Sequence, residues 1–248
     1  MSTLILVRHG QSTWNQQNKF TGWVDIDLSP QGEDEARAAG QLLASEKDIH
    51  IDVLHTSLLT RAIRTANLAL DELGRSWIPI RKHWRLNERH YGALQGLDKK
   101  DAAKRFGPEL VKAWRRSYDV PPPPLEADSP LHPRHDPRYA TLAPEVLPSS
   151  ECLANVVTRI LPYWQDHIVA DLRAGLTVCV VAHGNSLRAL VKHLERISDT
   201  DVVSLDIPTG IPRIYQLSTD NLEVLDARYL GDPDAVAAAA LQVARQAG

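Results

Sequence analysis

Two apolar segments, far apart in the chain, most constrain what this sequence can fold into. Residues 3–7 read TLILV and residues 175–182 read GLTVCVVA, with hardly a polar side chain in either. A run so short and so uniformly apolar is typical of a strand in a parallel sheet that helices cover on both faces. Because parallel strands need long crossover connections, this pair of segments predicts an α/β protein.

Helix and strand signals alternate between and after these two segments. The clearest helix start is at Ser29, an N-cap residue that is followed by Pro30 and then by acidic residues. The predicted elements are a helix over 29–45, a strand over 51–57, a helix over about 58–73, a strand over 77–80 and a helix over 185–195. We therefore expect a three-layer α/β/α sandwich with a mainly parallel sheet and helices on both faces.

The 248 residues are predicted to form a single domain, residues 1–248, with two unusual segments. Nine of the 16 prolines fall between residues 119 and 148, which excludes a helix or an interior strand there. We interpret this segment as a stiff, ordered excursion that covers a site, rather than as a linker. From about residue 232 an Ala-rich tail has high helix propensity, and the sequence leaves open whether it packs over something or frays.

The composition excludes several classes of function. A formal net charge of −3 argues against a nucleic-acid binder, although a local cluster of arginines could still bind an anionic substrate. We expect no membrane span and no secretory leader, because no long apolar segment occurs and the chain enters a strand at once. The two cysteines, Cys152 and Cys179, lack the spacing of a metal site or of a disulfide framework, which favours the cytoplasm.

Both apolar strands end in a histidine followed by a glycine. These pairs are His9 with Gly10 and His183 with Gly184. In a parallel sheet ligands bind at the carboxyl ends of the strands, and the helices that follow direct N–H groups to the same place, which suits an anion. We expect the glycines to let the backbone approach a ligand. Either histidine alone could merely cap or pack, but the matched pair predicts one shared site.

Cationic side chains occur near the same predicted strand ends. Arg8 precedes the first histidine, Arg61 and Arg64 begin a helix after another strand, and Arg115 and Arg116 form a further pair. A planar guanidinium matches the geometry of a phosphate group. The segment NERHYGALQG, residues 87–96, is also more polar than a solvated turn requires. Together these residues indicate a phosphate site.

Seven motifs occur in order along the chain: RHGQSTWN, FTGW, SLLTRAIRTA, ERHYGALQGLDK, WRRSYDVPPPP, AHGNSLRALVKHLE and DIPTGIPRIYQL. With them the sequence resembles the cofactor-dependent phosphoglycerate mutases of the histidine phosphatase superfamily over about residues 4–231. RHG with a later AHGN is typical of the superfamily, and ERHYG, WRRS and PPPP are typical of the mutases.

The resemblance implies a role for each matching residue. His9 would be the nucleophile that becomes phosphohistidine, and Glu88 the general acid/base. Arg8, Arg61 and His183 would surround the transferring phosphoryl group. Substrate-binding positions implied by the resemblance are Arg8, His9, Gly10, Gln11, Ser12, Thr13, Trp14, Asn15, Thr21, Gly22, Arg61, Glu88, Arg89, His90, Tyr91, Lys99, Arg115, Arg116, Gly184 and Asn185. Gln11 departs from the Glu of many relatives.

The resemblance also implies a reaction. It is the interconversion of 3-phosphoglycerate and 2-phosphoglycerate in glycolysis and gluconeogenesis, through phospho-His9 and 2,3-bisphosphoglycerate, which is both primer and intermediate. No metal would be needed, because arginine and histidine supply the positive charge. Minor bisphosphoglycerate synthase or phosphatase activity would accompany it, in a cytoplasmic homodimer that binds neither nucleic acid nor membranes.

Three alternatives compete with this interpretation. A histidine phosphatase would pass the phosphoryl group from His9 to water, and the proline-rich segment and the Arg115–Arg116 pair favour a drier pocket instead. A non-catalytic protein that binds a phosphorylated ligand would not need every catalytic role to be filled. An interaction module built on PPPP is less consistent with its place between helical segments.

Overall fold

The computed structural model of this chain describes residues 1–245 and contains one six-stranded mixed sheet. The strands are β1 (Ser2–Arg8), β2 (Val53–Thr56), β3 (Ile80–Lys82), β4 (Val178–Ala182), β5 (Arg213–Leu217) and β6 (Val224–Tyr229). Their order across the sheet is β3-β2-β4-β1-β5-β6. The first four strands in this order run parallel to one another, and β5 pairs antiparallel with both of its neighbours. The predicted mainly parallel sheet is confirmed.

Helices cover both faces of the sheet. They are α1 (Thr13–Gln16), α2 (Pro30–Ser45), α3 (Thr60–Glu72), α4 (Lys99–Phe106), α5 (Pro108–Arg116), α6 (Leu153–Tyr163), α7 (Val169–Arg173), α8 (Gly184–Leu194) and α9 (Pro233–Arg245). A π-helical segment, Trp164–Ile168, joins α6 to α7. Helices α2 and α3 pack together on one face, and α6 and α8 pack together on the other, as the predicted three-layer α/β/α sandwich requires.

The central strand β1 shows why the chain folds in layers. Leu4 and Leu6 pack into the core beneath α6 and α8, whereas Ile5 and Val7 pack into the core beneath α2 and α3. Successive side chains of a strand point to opposite faces, so a strand covered on both sides must be apolar at every position. The uniform apolarity of the sequence in β1 therefore reflects burial on two faces.

The helix start at Ser29 is confirmed, because its side chain accepts a hydrogen bond from the backbone N–H of Gly32 and Pro30 opens α2. The strand predicted over 77–80 lies further along the chain, because β3 covers Ile80–Lys82 and Trp77 is exposed before it. Pro79 explains the shift: it has no N–H to donate to the ladder, and only its carbonyl pairs, with Leu54.

The proline-rich segment is ordered through specific contacts. Its residue Tyr139 is buried in a cluster with Trp23 and Trp84, and its hydroxyl accepts a hydrogen bond from Asn87 at 2.8 Å. Three 3₁₀ turns, Pro133–His135, Pro137–Tyr139 and Pro144–Val146, shape the segment. These contacts pack the segment against residues 84–95, and a cover over a site stays a prediction.

Candidate active site

The two histidines that end apolar strands meet at one place. Strands β1 and β4 are neighbours, and the backbone N–H of His9 donates to the carbonyl of Ala182 at 2.9 Å. The rings of His9 and His183 lie edge to face with their centroids 4.8 Å apart. Both side chains are almost completely buried. The structure therefore brings together the two residues that the matched strand ends singled out.

His9 is held with one ring nitrogen available. Its Nδ1 lies 2.6 Å from the carbonyl of Gly10, and because a carbonyl only accepts, Nδ1 must carry the proton. The other nitrogen, Nε2, then keeps its lone pair. Burial, reinforced by the positive charges of Arg61 and Arg8, holds the pKa of His9 well below its usual value. The ring is thus a neutral nucleophile at neutral pH.

His183 is oriented by a serine that follows β2. The hydroxyl of Ser57 lies 2.8 Å from Nε2 of His183 and accepts a hydrogen bond from the N–H of Leu59. The hydroxyl has both a hydrogen and a second lone pair to offer Nε2, so this contact fits either neutral tautomer of the ring. The Nδ1 of His183 is buried without a hydrogen-bond partner among the described residues. In the tautomer that carries its proton on Nδ1, this atom is a donor that an anion beside His9 would satisfy.

Two arginines are fixed beside these histidines by backbone carbonyls. Arg61, in the first turn of α3, donates to the carbonyls of Gly22 and Val24 at 2.7 and 3.0 Å. Arg8 donates from Nη1 to the carbonyl of Ile207 at 2.7 Å, and its Nε has no hydrogen-bond partner among residues 1–245. Carbonyls orient a guanidinium without neutralising it. Both side chains therefore keep their full charge for an anion.

Glu88 lines the same cavity as His9 and has a well-defined hydrogen-bond environment. Its Oε1 accepts from the N–H of Arg89 at 2.8 Å and from both the N–H and the side-chain amide of Asn185, at 3.1 and 3.0 Å. Three donors thus hold this carboxylate oxygen of Glu88 in one position. Its backbone carbonyl accepts from the indole of Trp23 at 2.6 Å, which anchors the segment. The arrangement suits a group that accepts and returns a proton.

A cavity at this edge of the sheet collects most of the predicted site residues. Those that line it are Arg8, His9, Asn15, Thr21, Gly22, Arg61, Glu88, Tyr91, Lys99, Arg115, Arg116, Gly184 and Asn185. His183 lies fully buried beside His9. The remaining predicted residues lie outside the lining that residues 1–245 provide, namely Gly10, Gln11, Ser12, Thr13, Trp14, Arg89 and His90.

Some of those outlying residues shape the site from behind. The hydroxyl of Ser12 accepts from the N–H of Asn15 and caps α1, which presents Asn15 to the cavity. Arg89 donates to the backbone carbonyl of Arg115 at 2.8 Å. The side-chain oxygen of Gln11 accepts from the hydroxyl of Ser29, so Gln11 is tied to the start of α2.

The expectation that Gly10 admits a ligand to the backbone needs correction. A Cβ atom on Gly10 would overlap the backbone carbonyl of Gly32, and a Cβ on Gly32 would overlap the carbonyl of Gln11. Gly10 therefore permits close contact with the first turn of α2. Gly184 differs, since the nearest atom to its Cβ position is Cζ of Arg8 at 3.4 Å.

Sequence reasoning missed six residues of the lining: Lys19, Phe20, Arg188, Asp206, Ile207 and Val243. Arg188 lies one turn into α8 after the His183–Gly184 pair, and this spacing could have identified it. Val243 belongs to α9, so the Ala-rich tail forms a helix that reaches the cavity. Asp206 and Ile207 come from a loop before β5 and open the motif DIPTGIPRIYQL, from which no site residue was predicted.

The cavity is strongly cationic. Burial lowers the pKa of Lys99 to about 8, and the charge of Arg115 adds to this shift. Burial likewise lowers the pKa of Arg115 to about 10, and the charges of Arg116 and Arg89 add to that shift. Burial also lowers the pKa of Arg61 to about 10. Positive groups crowded in this way gain from a bound anion, which would remove the repulsion among them.

Two findings concern other ligands and surroundings. Within residues 1–245, no three side chains of His, Cys, Asp or Glu are grouped so as to hold a metal ion. Over the same residues, every helix is too short or too polar to span a membrane.

Comparisons with known proteins identify the family. Residues 4–137 match the model of the histidine phosphatase superfamily (branch 1). A 2,3-bisphosphoglycerate-dependent phosphoglycerate mutase of Thermobifida fusca (strain YX) is 63% identical over 220 residues, which cover 89% of each chain. Phosphoglycerate mutase 1 of Saccharomyces cerevisiae is 56% identical over 246 residues, 99% of each chain. The chain belongs to the histidine phosphatase superfamily.

Solved structures of lower sequence identity share the fold. A mycobacterial glucosyl-3-phosphoglycerate phosphatase has a TM-score of 0.67 at 22% identity, with 92% of this chain and 97% of that chain covered. A Bacillus stearothermophilus protein, YhfR, has a TM-score of 0.68 at 23% identity, with 90% and 94% covered. At such identities the likeness concerns the fold alone.

Proposed function

We propose that this protein is an isomerase, a 2,3-bisphosphoglycerate-dependent phosphoglycerate mutase that interconverts 3-phosphoglycerate and 2-phosphoglycerate in glycolysis and gluconeogenesis. The observation that carries the proposal is the pair of buried rings, His9 and His183, with Nε2 of His9 available among fixed arginines. The relatives in Thermobifida fusca and Saccharomyces cerevisiae, which match along most of their length, support the same activity.

His9 is the proposed nucleophile. Its Nε2 lone pair forms a bond to phosphorus, the bond from phosphorus to the substrate oxygen breaks, and phosphohistidine results. Arg8 and Arg61 neutralise the oxygens of the group in transfer, and the ring of His183 lies beside it. In the return step the same groups stabilise transfer from His9 to the other substrate hydroxyl.

Glu88 is the proposed general acid/base. When a substrate hydroxyl attacks phospho-His9, the carboxylate takes its proton, and it gives a proton to the other substrate oxygen when that oxygen loses its phosphoryl group to His9. The hydrogen bonds from Asn185 keep Oε1 in place through both steps. Glu88 therefore ends each full cycle in the protonation state in which it began.

Three further cations of the cavity lining fit the remaining anionic groups of the ligand. They would hold the carboxylate and the phosphate that does not react, and they are Lys99, Arg115 and Arg116. Buried nitrogens without partners among the described residues, Nε of Arg8 and Nε of Arg188, also fit an anion. 2,3-Bisphosphoglycerate supplies the phosphoryl group that primes His9. We propose that no metal takes part, because these side chains supply the positive charge.

The test is a ³¹P NMR time course with 3-phosphoglycerate and excess EDTA, with and without a trace of 2,3-bisphosphoglycerate. We expect the 2-phosphoglycerate resonance to grow and the trace of bisphosphate to accelerate it strongly. The variant His9→Asn serves as the control and should be inactive. Accumulation of inorganic phosphate instead would assign the protein as a phosphatase, and activity lost in EDTA would contradict the metal-free reaction.

The proposed assembly is a cytoplasmic homodimer. Strand β3 lies at the edge of the sheet, where unpaired backbone groups can pair with another chain, and Trp77 just before it is 73% exposed. Cys152 and Cys179 are both free thiols, which suits a reducing compartment. Light scattering coupled to size-exclusion chromatography should give twice the chain mass of 27.6 kDa. A single-chain mass would contradict the dimer.

A further inference from the structure

Two carboxylates lie in the lining of the cavity that residues 1–245 form, Glu88 and Asp206. The proposed reaction gives Glu88 a role and gives none to Asp206. A carboxylate in a pocket for a polyanion opposes the ligand, because like charges repel across a partly dry site. Asp206 therefore needs an explanation of its own.

Asp206 is held against one of the cations that face the ligand. Its Oδ1 accepts from Nη1 of Arg116 at 2.8 Å, and both side chains remain partly exposed to the cavity. A carboxylate on a guanidinium reproduces the contact that a substrate carboxylate or phosphate would make. In the free protein, Asp206 thus occupies Arg116 as an internal anion.

The influence of Asp206 extends beyond this pair. Burial lowers the pKa of Arg115 and of Arg188, and the negative charge of Asp206 is among the interactions that oppose this shift. It opposes the lowered pKa of Arg8 in the same way. Asp206 therefore reduces the positive electrostatic potential at Arg8, Arg115 and Arg188 as well as at Arg116.

The loop that carries Asp206 is fixed, so the carboxylate is placed rather than free to swing away. Arg8 donates to the carbonyl of Ile207, the next residue, at 2.7 Å. Arg188 donates to the carbonyl of Val202, in the 3₁₀ turn Asp201–Ser204 that precedes this loop. A ligand that binds Arg116 must therefore compete with Asp206 at close range.

We infer that Asp206 is a specificity-determining residue that weakens the binding of the more highly charged ligand, the bisphosphate, relative to the monophosphates. The inference rests on the proposed function, because it takes these phosphoglycerates as the ligands. Each additional ligand charge at about 7 Å in a water-like dielectric is worth about threefold in affinity. Since the bisphosphate carries about two more charges than either monophosphate, discrimination between them of about tenfold follows.

The test compares Asp206→Asn with the charge-retaining variant Asp206→Glu. Asparagine keeps an oxygen that can accept from Arg116 and removes only the charge. We expect Asp206→Asn to lower both KM for 3-phosphoglycerate and the half-saturating concentration of 2,3-bisphosphoglycerate, the second by about tenfold more than the first. Asp206→Glu should change neither by more than about twofold. Asp206→Ser removes the same charge and is measured in its place if Asp206→Asn does not fold.

Asp220→Asn is the matched control, because Asp220 is exposed in the turn between β5 and β6, at the other end of the sheet. The inference is overturned if Asp206→Asn weakens binding, as loss of a merely orienting residue would, or leaves both constants unchanged. It is also overturned if Asp220→Asn gives the same gain. Calorimetric titration with 2,3-bisphosphoglycerate separates the two proposals: tighter binding by Asp206→Asn without any mutase turnover supports this inference and contradicts the proposed function.

Discussion

The buried His90 makes a specific prediction about acid stability. It follows Glu88 by two residues and is fully buried, and burial, with smaller contributions from His132 and Arg159, lowers its pKa to about 3. In the unfolded chain a histidine protonates near pH 6.5. The folded state therefore binds fewer protons than the unfolded state between these two values, and stability falls as the pH drops below about 6.5.

The size of this loss follows from the two pKa values. One pKa unit corresponds to about 1.4 kcal/mol, so His90 alone should remove about 2 kcal/mol of the free energy of unfolding between pH 7 and pH 5. The variant His90→Asn removes the titrating group, and its side-chain oxygen can still accept the hydrogen bond that Nδ1 takes from the N–H of Gly92. At pH 7 the variant loses about 1–3 kcal/mol to the cavity that it leaves.

The assay is urea unfolding at both pH values and at a single protein concentration, monitored by tryptophan fluorescence. Trp23 is a suitable probe because its ring centroid lies 5.9 Å from that of His90. The wild-type protein should lose about 2 kcal/mol more than His90→Asn on acidification. Replacement of the exposed His50 by Asn is the control and should leave the wild-type loss unchanged. Equal losses in wild type and His90→Asn would refute the reasoning.

Three further predictions concern the site. Glu88→Gln should lower kcat by about 10²- to 10⁴-fold in steady-state assays with little change in KM, because it cannot take a proton. Truncation after Gly231 removes α9 and with it Val243 from the cavity, and should raise hydrolysis relative to mutase turnover in the ³¹P assay. Arg188→Met removes the donor that holds the side-chain oxygen of Asn185 at 3.1 Å, and should shift the pH profile of kcat because Asn185 then no longer fixes Glu88.

Each of these expectations can fail in a recognisable way. Glu88→Gln with near-normal kcat would mean that another group or water carries the proton. An unchanged ratio of hydrolysis to mutase turnover after truncation would remove α9 from the mechanism. For Arg188→Met, a fall in kcat at all pH values with an unchanged profile would indicate a general structural defect. Arg188→Lys, which keeps a donor, should restore part of the wild-type profile if the positioning argument holds.

The layers of the fold and the pairing of His9 with His183 could be predicted because they follow from strong local patterns. Two-sided burial forces β1 and β4 to be apolar throughout, and parallel strands place their ends at one edge. The boundary of β3 was missed because Pro79, inside the predicted strand, blocks the ladder at a single position. Periodicity does not resolve a three-residue edge strand.

The cavity lining was only partly predictable for a different reason. Asp206 comes from a loop whose position depends on carbonyl contacts with Arg8 and Arg188, and such contacts leave no pattern in the sequence. The proline-rich segment was recognisable by composition, but its packing on Trp23 depends on tertiary contacts that composition does not encode. Local sequence patterns identify helices and strands, whereas tertiary contacts determine which loops line the cavity.

The contact between Gly10 and Gly32 has a consequence for motion during turnover. Since backbone meets backbone there, no side chain separates Gly10 from Gly32 that could change rotamer and absorb a displacement. The N–H of Gly10 also donates to the hydroxyl of Thr65 in α3, so two helices clamp the residue after His9. The ring of His9 is thus held in a fixed position. In the proposed cycle the bisphosphate intermediate must therefore reorient within the cavity between the two phosphoryl transfers.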